Sequence, residues 1–128
     1  DCYNANPVSM RSSVDVLTTA KGRKVAILGD MFELGEHEVS LHYETGAYIA
    51  GKGIDLILTA GPLGSQIGKG ITEHAASAGF SETGVVSYET KEALLEKLTD
   101  FIRPGDTVLV KASHGMAFAE IVTALEAF

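Results

Sequence analysis

Two short segments carry residue types dense enough to do chemistry. Lys111-Ala112-Ser113-His114-Gly115-Met116 sets a cation, a hydroxyl and an imidazole between an apolar run and a stretch of helical period. A helix N-terminus with Lys and Ser nearby is a ready site for a carboxylate or phosphate. The same letters also suit an ordinary capped turn, and spacing alone leaves both readings open. Asp1-Cys2-Tyr3-Asn4-Ala5-Asn6-Pro7 is densely polar and leads into a helix. Helix capping explains one of its asparagines, but not Asp1, Tyr3, Asn4 and Asn6 together.

Other chemically suggestive stretches fail on spacing. The run Gly61 to Gly70 invites a phosphate-loop reading. A P-loop needs a glycine five positions before Gly68-Lys69 and a Ser or Thr after it, and Leu63 and Gly70 stand there instead. The Gly-x-Gly-x-x-Gly dinucleotide fingerprint is absent from every strand-to-helix turn, so this segment reads as structural. Glu33, Glu36, His37, Glu38 and His42 have the composition of a metal cluster. His37 and His42, however, lack the four-residue spacing that would put them on one helical face. Acidic residues in a first turn favour the helix dipole, so a solvated helix start is expected and no metal site. His74 reads as a surface residue, and Cys2 lacks the basic neighbour that would activate its thiol.

The elements that must position these segments follow from periodicity. Val25 to Leu28, Leu56 to Leu58, Val85-Val86 and Val108 to Val110 are brief and apolar, bounded by Gly, Asp or Pro. Strands buried on both faces of a parallel sheet read this way. Helical spacing links Met10, Val14 and Leu17, then Val39, Tyr43, Ala47 and Ala50. It links Leu94, Leu98 and Phe101, and finally Phe118, Ile121, Val122, Leu125 and Phe128. Asn6-Pro7 suits a helix start, and Gly22, Gly51, Gly53 and Gly79 fall where helices should stop. Repeated βα units predict a three-layer α/β, Rossmann-like domain: a mostly parallel sheet with helices on both faces. Such folds bind ligands outside the carboxyl ends of their strands, where both polar segments fall.

At 128 residues the chain is long enough for one domain, 1–128, with one core. Hydrophobic residues at 45% and charged residues at 21% fit a globular protein rather than a disordered one. A formal charge of −7 repels polyanions, which argues against nucleic acid and anionic membrane surfaces as partners. One cysteine allows no intrachain disulfide, as suits a reducing cytoplasm. No apolar run reaches the ~18 residues of a membrane span, and no signal peptide is visible. The chain opens on Asp1 in a segment that already reads as structured, so a fragment cut at a domain boundary is expected.

The two polar segments, with Leu28-Gly29-Asp30-Met31-Phe32-Glu33-Leu34-Gly35 between them, resemble the C-terminal domain of the Mur ligases. The family opens that domain with Asp-Ser-Tyr-Asn-Ala-Asn-Pro, matched here from Asp1 to Pro7 with Cys2 for serine. Its Leu-Gly-Asp-Met-x-Glu-Leu-Gly motif is matched at every fixed position. Its Val-Lys-Gly-Ser-Arg-Gly-Met motif resembles Val110 to Met116, with Ala112 and His114 as departures. The related folate ligases carry His-Asn-Pro in the first motif, so Tyr3-Asn4-Ala5-Asn6 resembles the cell-wall branch, and within it the D-alanyl-D-alanine-adding enzymes.

The resemblance implies an ATP-dependent ligase of peptidoglycan synthesis, cytoplasmic, that joins D-alanyl-D-alanine to UDP-N-acetylmuramoyl-tripeptide through an acyl phosphate. The rivals are another Mur-type amino-acid ligase and a non-catalytic α/β binding module. By the same resemblance Asp1 touches the ribose of ATP, and Tyr3, Asn4 and Asn6 line the cleft where ATP and dipeptide meet. Lys111, Ser113 and His114 receive the dipeptide carboxylate, and Asp30 and Glu33 orient its amine. His114 stands where an arginine is common, so a permanent charge becomes a titratable one. The family's P-loop, magnesium ligands and uridine-nucleotide domain have no counterpart here. ATP and Mg²⁺ are therefore expected to bind mainly on upstream domains, no catalytic residue is expected in 1–128, and the fragment alone is expected to be inactive.

Overall fold

A computed structural model describes residues 5–77 and 84–127. Asp1, Cys2, Tyr3, Asn4, Gly79 and Phe128 lie outside them. Among the described residues four strands form one sheet: β1 (Lys24–Gly29), β2 (Leu56–Ala60), β3 (Gly84–Tyr88) and β4 (Thr107–Lys111). The order is β3-β2-β1-β4 and every pairing is parallel. Each expected strand is present. β1 and β2 occupy the centre and are almost wholly buried, whereas β3 and β4 lie at the edges and are partly exposed.

Among the described residues five α-helices cover the sheet: α1 (Pro7–Leu17), α2 (Glu38–Ile49), α3 (Gly64–Ser77), α4 (Lys91–Phe101) and α5 (Ala119–Glu126). Met10, Val14 and Leu17 of α1, Ile49 of α2, and Ile67 and Ile71 of α3 share one core cluster with Ala26, Leu28 and Ile57. Leu94 and Leu98 of α4 and Ile121 of α5 pack with Val25, Ile27 and Leu58. The alternation of adjacent strand residues between these clusters is the period-2 geometry of a strand, with apolar partners waiting on both sides.

Local chemistry sets the helix starts. Asn6 caps α1: its Oδ1 accepts the Ser9 amide hydrogen at 2.9 Å, and Ser9 Oγ accepts the Asn6 amide hydrogen at 3.1 Å. Pro7, with no amide hydrogen to leave unsatisfied, fits the first turn. Thr90 caps α4 by accepting from Ala93 N–H.

Two helices depart from the expected pattern. The stretch read as a structural glycine run is the start of α3, and its glycines serve close packing. A Cβ on Gly70 would sit 2.2 Å from the Tyr43 carbonyl oxygen, and one on Gly46 would sit 2.1 Å from that of Ile67. α2 and α3 therefore touch backbone to backbone. In α2 the buried face is His42, Thr45, Gly46 and Ile49, one position out of phase with the expected Val39, Tyr43, Ala47 and Ala50. Val39 is half exposed.

Candidate functional site

The strand order places the topological switch between β1 and β4, since the chain steps outward from β1 to β3 and then returns to β4. Ligands of open parallel sheets bind in the crevice outside the carboxyl ends of the strands at such a point. The segments leaving those two strands are Asp30–Leu34, part of the motif on which the resemblance rests, and Ala112–Met116, singled out by its chemistry.

The first segment is gripped residue by residue. Asp30 is almost fully buried, and its Oδ1 accepts the Gly64 amide hydrogen at the start of α3, at 2.7 Å. Gly61 makes this approach feasible, because a Cβ there would lie 2.4 Å from Asp30 Oδ1. Its φ of 101° is also one that glycine adopts readily. Burial raises the Asp30 carboxyl above its ordinary value of 3.8, and the bond from Gly64 partly offsets that. The Met31 amide donates to Nε2 of His42 at 2.8 Å. The Phe32 amide donates to Oγ of Ser113 at 2.6 Å. Glu33 follows with a φ of 63° and is exposed.

The second segment meets the first. Ser113 donates its own amide hydrogen to the Asp30 carbonyl at 2.9 Å and is fully buried. A Cβ on Gly115 would lie 2.8 Å from the Phe32 ring, so that ring packs directly over the short 3₁₀ turn His114–Met116. Gly29, at the end of β1, has Phe118 and Ala112 where a side chain would stand.

Beside this junction runs a cleft of about 850 Å³. Lys111, Ser113 and His114 border it, with Leu109, Phe118 and Val122 supplying apolar surface. Its opposite wall is Ser9, Ser12 and Ser13 of α1. These hydroxyls were not among the expected site residues, although their spacing puts them on one helical face beside that of Met10, Val14 and Leu17. A half-buried lysine, an exposed imidazole and serine hydroxyls around partly apolar walls suit a small molecule carrying a carboxylate.

Lys111, Ser113 and His114 are thus brought together on one cleft, but Ser113 sits inside, with its hydroxyl engaged by the Phe32 amide. Asp30 is likewise held inside by Gly64, while Glu33 reaches the surface. Asn6 caps the helix whose Ser9 borders the cleft. Asp1, Tyr3 and Asn4 fall outside the described residues.

The expected solvated helix start is corrected at one position. Glu36 and His37 are exposed, but His42 has no exposed surface. Its Nδ1 lies 2.6 Å from the Glu38 carbonyl oxygen, while its Nε2 faces the Met31 amide. A carbonyl accepts and an amide donates, so the ring is the neutral tautomer with its proton on Nδ1. Among the described residues no group of three or more His, Cys, Asp or Glu converges to hold a metal ion. No described helix is long and apolar enough to cross a membrane.

Known proteins with the same arrangement give the class. The chain belongs to the Mur ligase family, matching its "Mur ligase, glutamate ligase domain" over residues 1–114. It is 39% identical over 124 residues to the UDP-N-acetylmuramoyl-tripeptide–D-alanyl-D-alanine ligase of Bacillus subtilis (strain 168), covering 95% of this chain and 26% of that protein. The same-named enzyme of Escherichia coli (strain K12) is 35% identical over 130 residues, covering 98% and 26%. Crystal structure II of MurF from Acinetobacter baumannii superposes with a TM-score of 0.83 at 28% identity, over 98% of this chain and 27% of that one. The chain spans about a quarter of the length of the curated relatives it matches.

Proposed function

We propose that this domain belongs to an ATP-dependent ligase that joins D-alanyl-D-alanine to UDP-N-acetylmuramoyl-tripeptide in peptidoglycan synthesis, and that it receives the dipeptide. The observation that carries this is the meeting of Lys111 and His114 on one cleft along β4, beside the switch between β1 and β4. The names of the relatives favour this activity over another Mur-type amino-acid ligase or a non-catalytic α/β module. ATP and a uridine-nucleotide-linked peptide are cytoplasmic substrates, which places the reaction in that compartment.

A carboxylate is a poor electrophile, so the peptide's terminal carboxylate first attacks the γ-phosphorus of ATP, giving an acyl phosphate and ADP. The dipeptide's amine then attacks the acyl carbon. The tetrahedral intermediate collapses to an amide, releasing inorganic phosphate, and the amine loses a proton. Mg²⁺, when bound, supplies charge neutralisation for the phosphoryl groups. What this chain's residues supply is placement. Lys111 pairs with the dipeptide carboxylate, His114 borders the same charge, and Glu33 lies on the neighbouring loop to orient the amine. Asp1, Tyr3, Asn4 and Asn6 are proposed to line the seam with ATP, which is bound mainly by upstream domains along with Mg²⁺. Holding amine and acyl phosphate in line accounts for a large share of such a rate.

The test is phosphate release from ATP by the full-length protein with UDP-N-acetylmuramoyl-tripeptide, with and without D-alanyl-D-alanine. Release that depends on the dipeptide and falls when Lys111 becomes alanine supports the function and the site. A response to a single amino acid instead moves the protein to another Mur-type ligase. Residues 1–128 alone are expected to give no turnover, and release of phosphate by that fragment with both substrates contradicts the division of labour.

A further inference from the structure

We propose that His42 is a positioning residue which, with Ser113, clamps the Asp30–Glu33 loop onto the Lys111–His114 turn and so sets the geometry in which the dipeptide is received. This deepens the ligase function proposed above and rests on it.

His42 sits on α2, away from the cleft lining, and is fully buried. An imidazole in that position needs partners for both nitrogens, and it has them: the Glu38 carbonyl on its own helix and the Met31 amide on the loop. An aliphatic side chain would fill the same space with less to satisfy. What distinguishes the imidazole is the acceptor it aims at Met31, a residue with no exposed surface whose amide would otherwise be left unpaired.

Ser113 does the same for the next residue from the opposite side. Its Oγ takes the Phe32 amide hydrogen at 2.6 Å while its own amide donates to the Asp30 carbonyl at 2.9 Å. Three consecutive residues are therefore gripped from three elements: Asp30 by the start of α3, Met31 by α2 and Phe32 by the turn after β4. The Phe32 ring over Gly115 makes the loop and the turn a single body. Immediately beyond the grip the chain turns outward at Glu33. Loosening either acceptor shifts Glu33 relative to Lys111 and His114, though neither acceptor needs to touch the substrate. A displacement of about 1 Å in a reacting pair is enough to cost a large factor in rate.

The experiment is steady-state kinetics of the full-length ligase, with thermal unfolding measured on the same preparations. His42→Leu is expected to raise the KM for D-alanyl-D-alanine about tenfold or more while the KM for ATP stays within about twofold. His42→Gln, which keeps an acceptor toward Met31, is expected to recover most of that loss. Arg23→Ala, at the opposite end of the sheet, is the control that lowers stability without changing either KM. Should His42→Leu fail to fold, Ser113→Ala, at a residue that borders the cleft but whose hydroxyl is engaged by the Phe32 amide, is expected to give the same signature. A drop in Tm matching that of Arg23→Ala, with the dipeptide KM unchanged in both His42→Leu and Ser113→Ala, makes the clamp purely structural and overturns the proposal. Wild-type protein with no dipeptide-dependent turnover is a separate result, which removes the ligase function and this role together.

Discussion

The Asp30 carboxylate accepts the Gly64 amide hydrogen at 2.7 Å, joining the end of β1 to the start of α3 across a gap that Gly61 keeps clear. Burial holds this carboxyl above 3.8 despite that bond. A group with a raised native pKa contributes stability that is present in full below 3.8 and is lost as pH rises through the native value. Asp30→Asn keeps an oxygen for Gly64 and removes the titration. Its stability at neutral pH is expected to equal or exceed that of the natural domain, with a flatter dependence on acid, as read by thermal unfolding across the acid and neutral range. Asp30→Ala leaves the Gly64 amide without its acceptor and is expected to cost about 1–3 kcal/mol.

Lys111 and His114 border the same cleft but differ in exposure, the lysine half-buried and the histidine exposed. A charged hydrogen bond shielded from water is worth more than one in open solvent. On the proposed function, Lys111→Ala in the full-length protein is expected to raise the dipeptide KM about 10- to 100-fold, with a smaller effect for His114→Ala. Titrating the dipeptide at saturating ATP checks the order, and equal effects would break the ranking.

Gly46 is a helix-interior glycine, and replacing it with alanine ordinarily favours a helix by about 1 kcal/mol. Here the added methyl would meet the Ile67 carbonyl oxygen at 2.1 Å. Overpacking of that kind costs about 1–3 kcal/mol or more, so Gly46→Ala is expected to be destabilising on balance. A urea midpoint above that of the natural domain would contradict the backbone contact.

Arg23 and Asp106 pair at the amino end of the sheet, Nη1 to Oδ2 at 2.7 Å, with the Asp106 side chain almost fully buried. The same guanidinium nitrogen donates to the Phe101 carbonyl, and Arg103 N–H also donates to Asp106. Arg23→Ala leaves Asp106 with one donor fewer and is expected to cost about 2 kcal/mol by chemical denaturation, with ligand handling unchanged.

The strands and most helices were legible because their residues face apolar neighbours on a fixed period. Val25 to Leu28 is apolar throughout, and both faces of β1 are indeed covered. Where side chains pack for other reasons, the period misleads. In α2 the inner face includes His42, Thr45 and Gly46, and a polar or absent side chain does not register as core. His42 read as solvated because its partner at Met31 is a backbone group, brought to it only by the fold. At the site the segments were legible, but not which side chains face inward. Asp30 and Ser113 have the chemistry of ligand contacts, yet each is engaged in holding backbone. The serine wall of α1 was missed because serine on an exposed helical face is unremarkable until something stands opposite it.

Glu33 occupies the left-handed region, φ 63°, where an L-residue with a side chain costs about 1 kcal/mol relative to glycine. A sequence chosen only for durability would place glycine or asparagine there. A carboxylate stands there against that gradient, so the loop is a point of local frustration, as Ala117 at φ 55° is in the turn after β4. Substitutions that relax it are the ones a stability screen would select first and the proposed ligase activity would tolerate least.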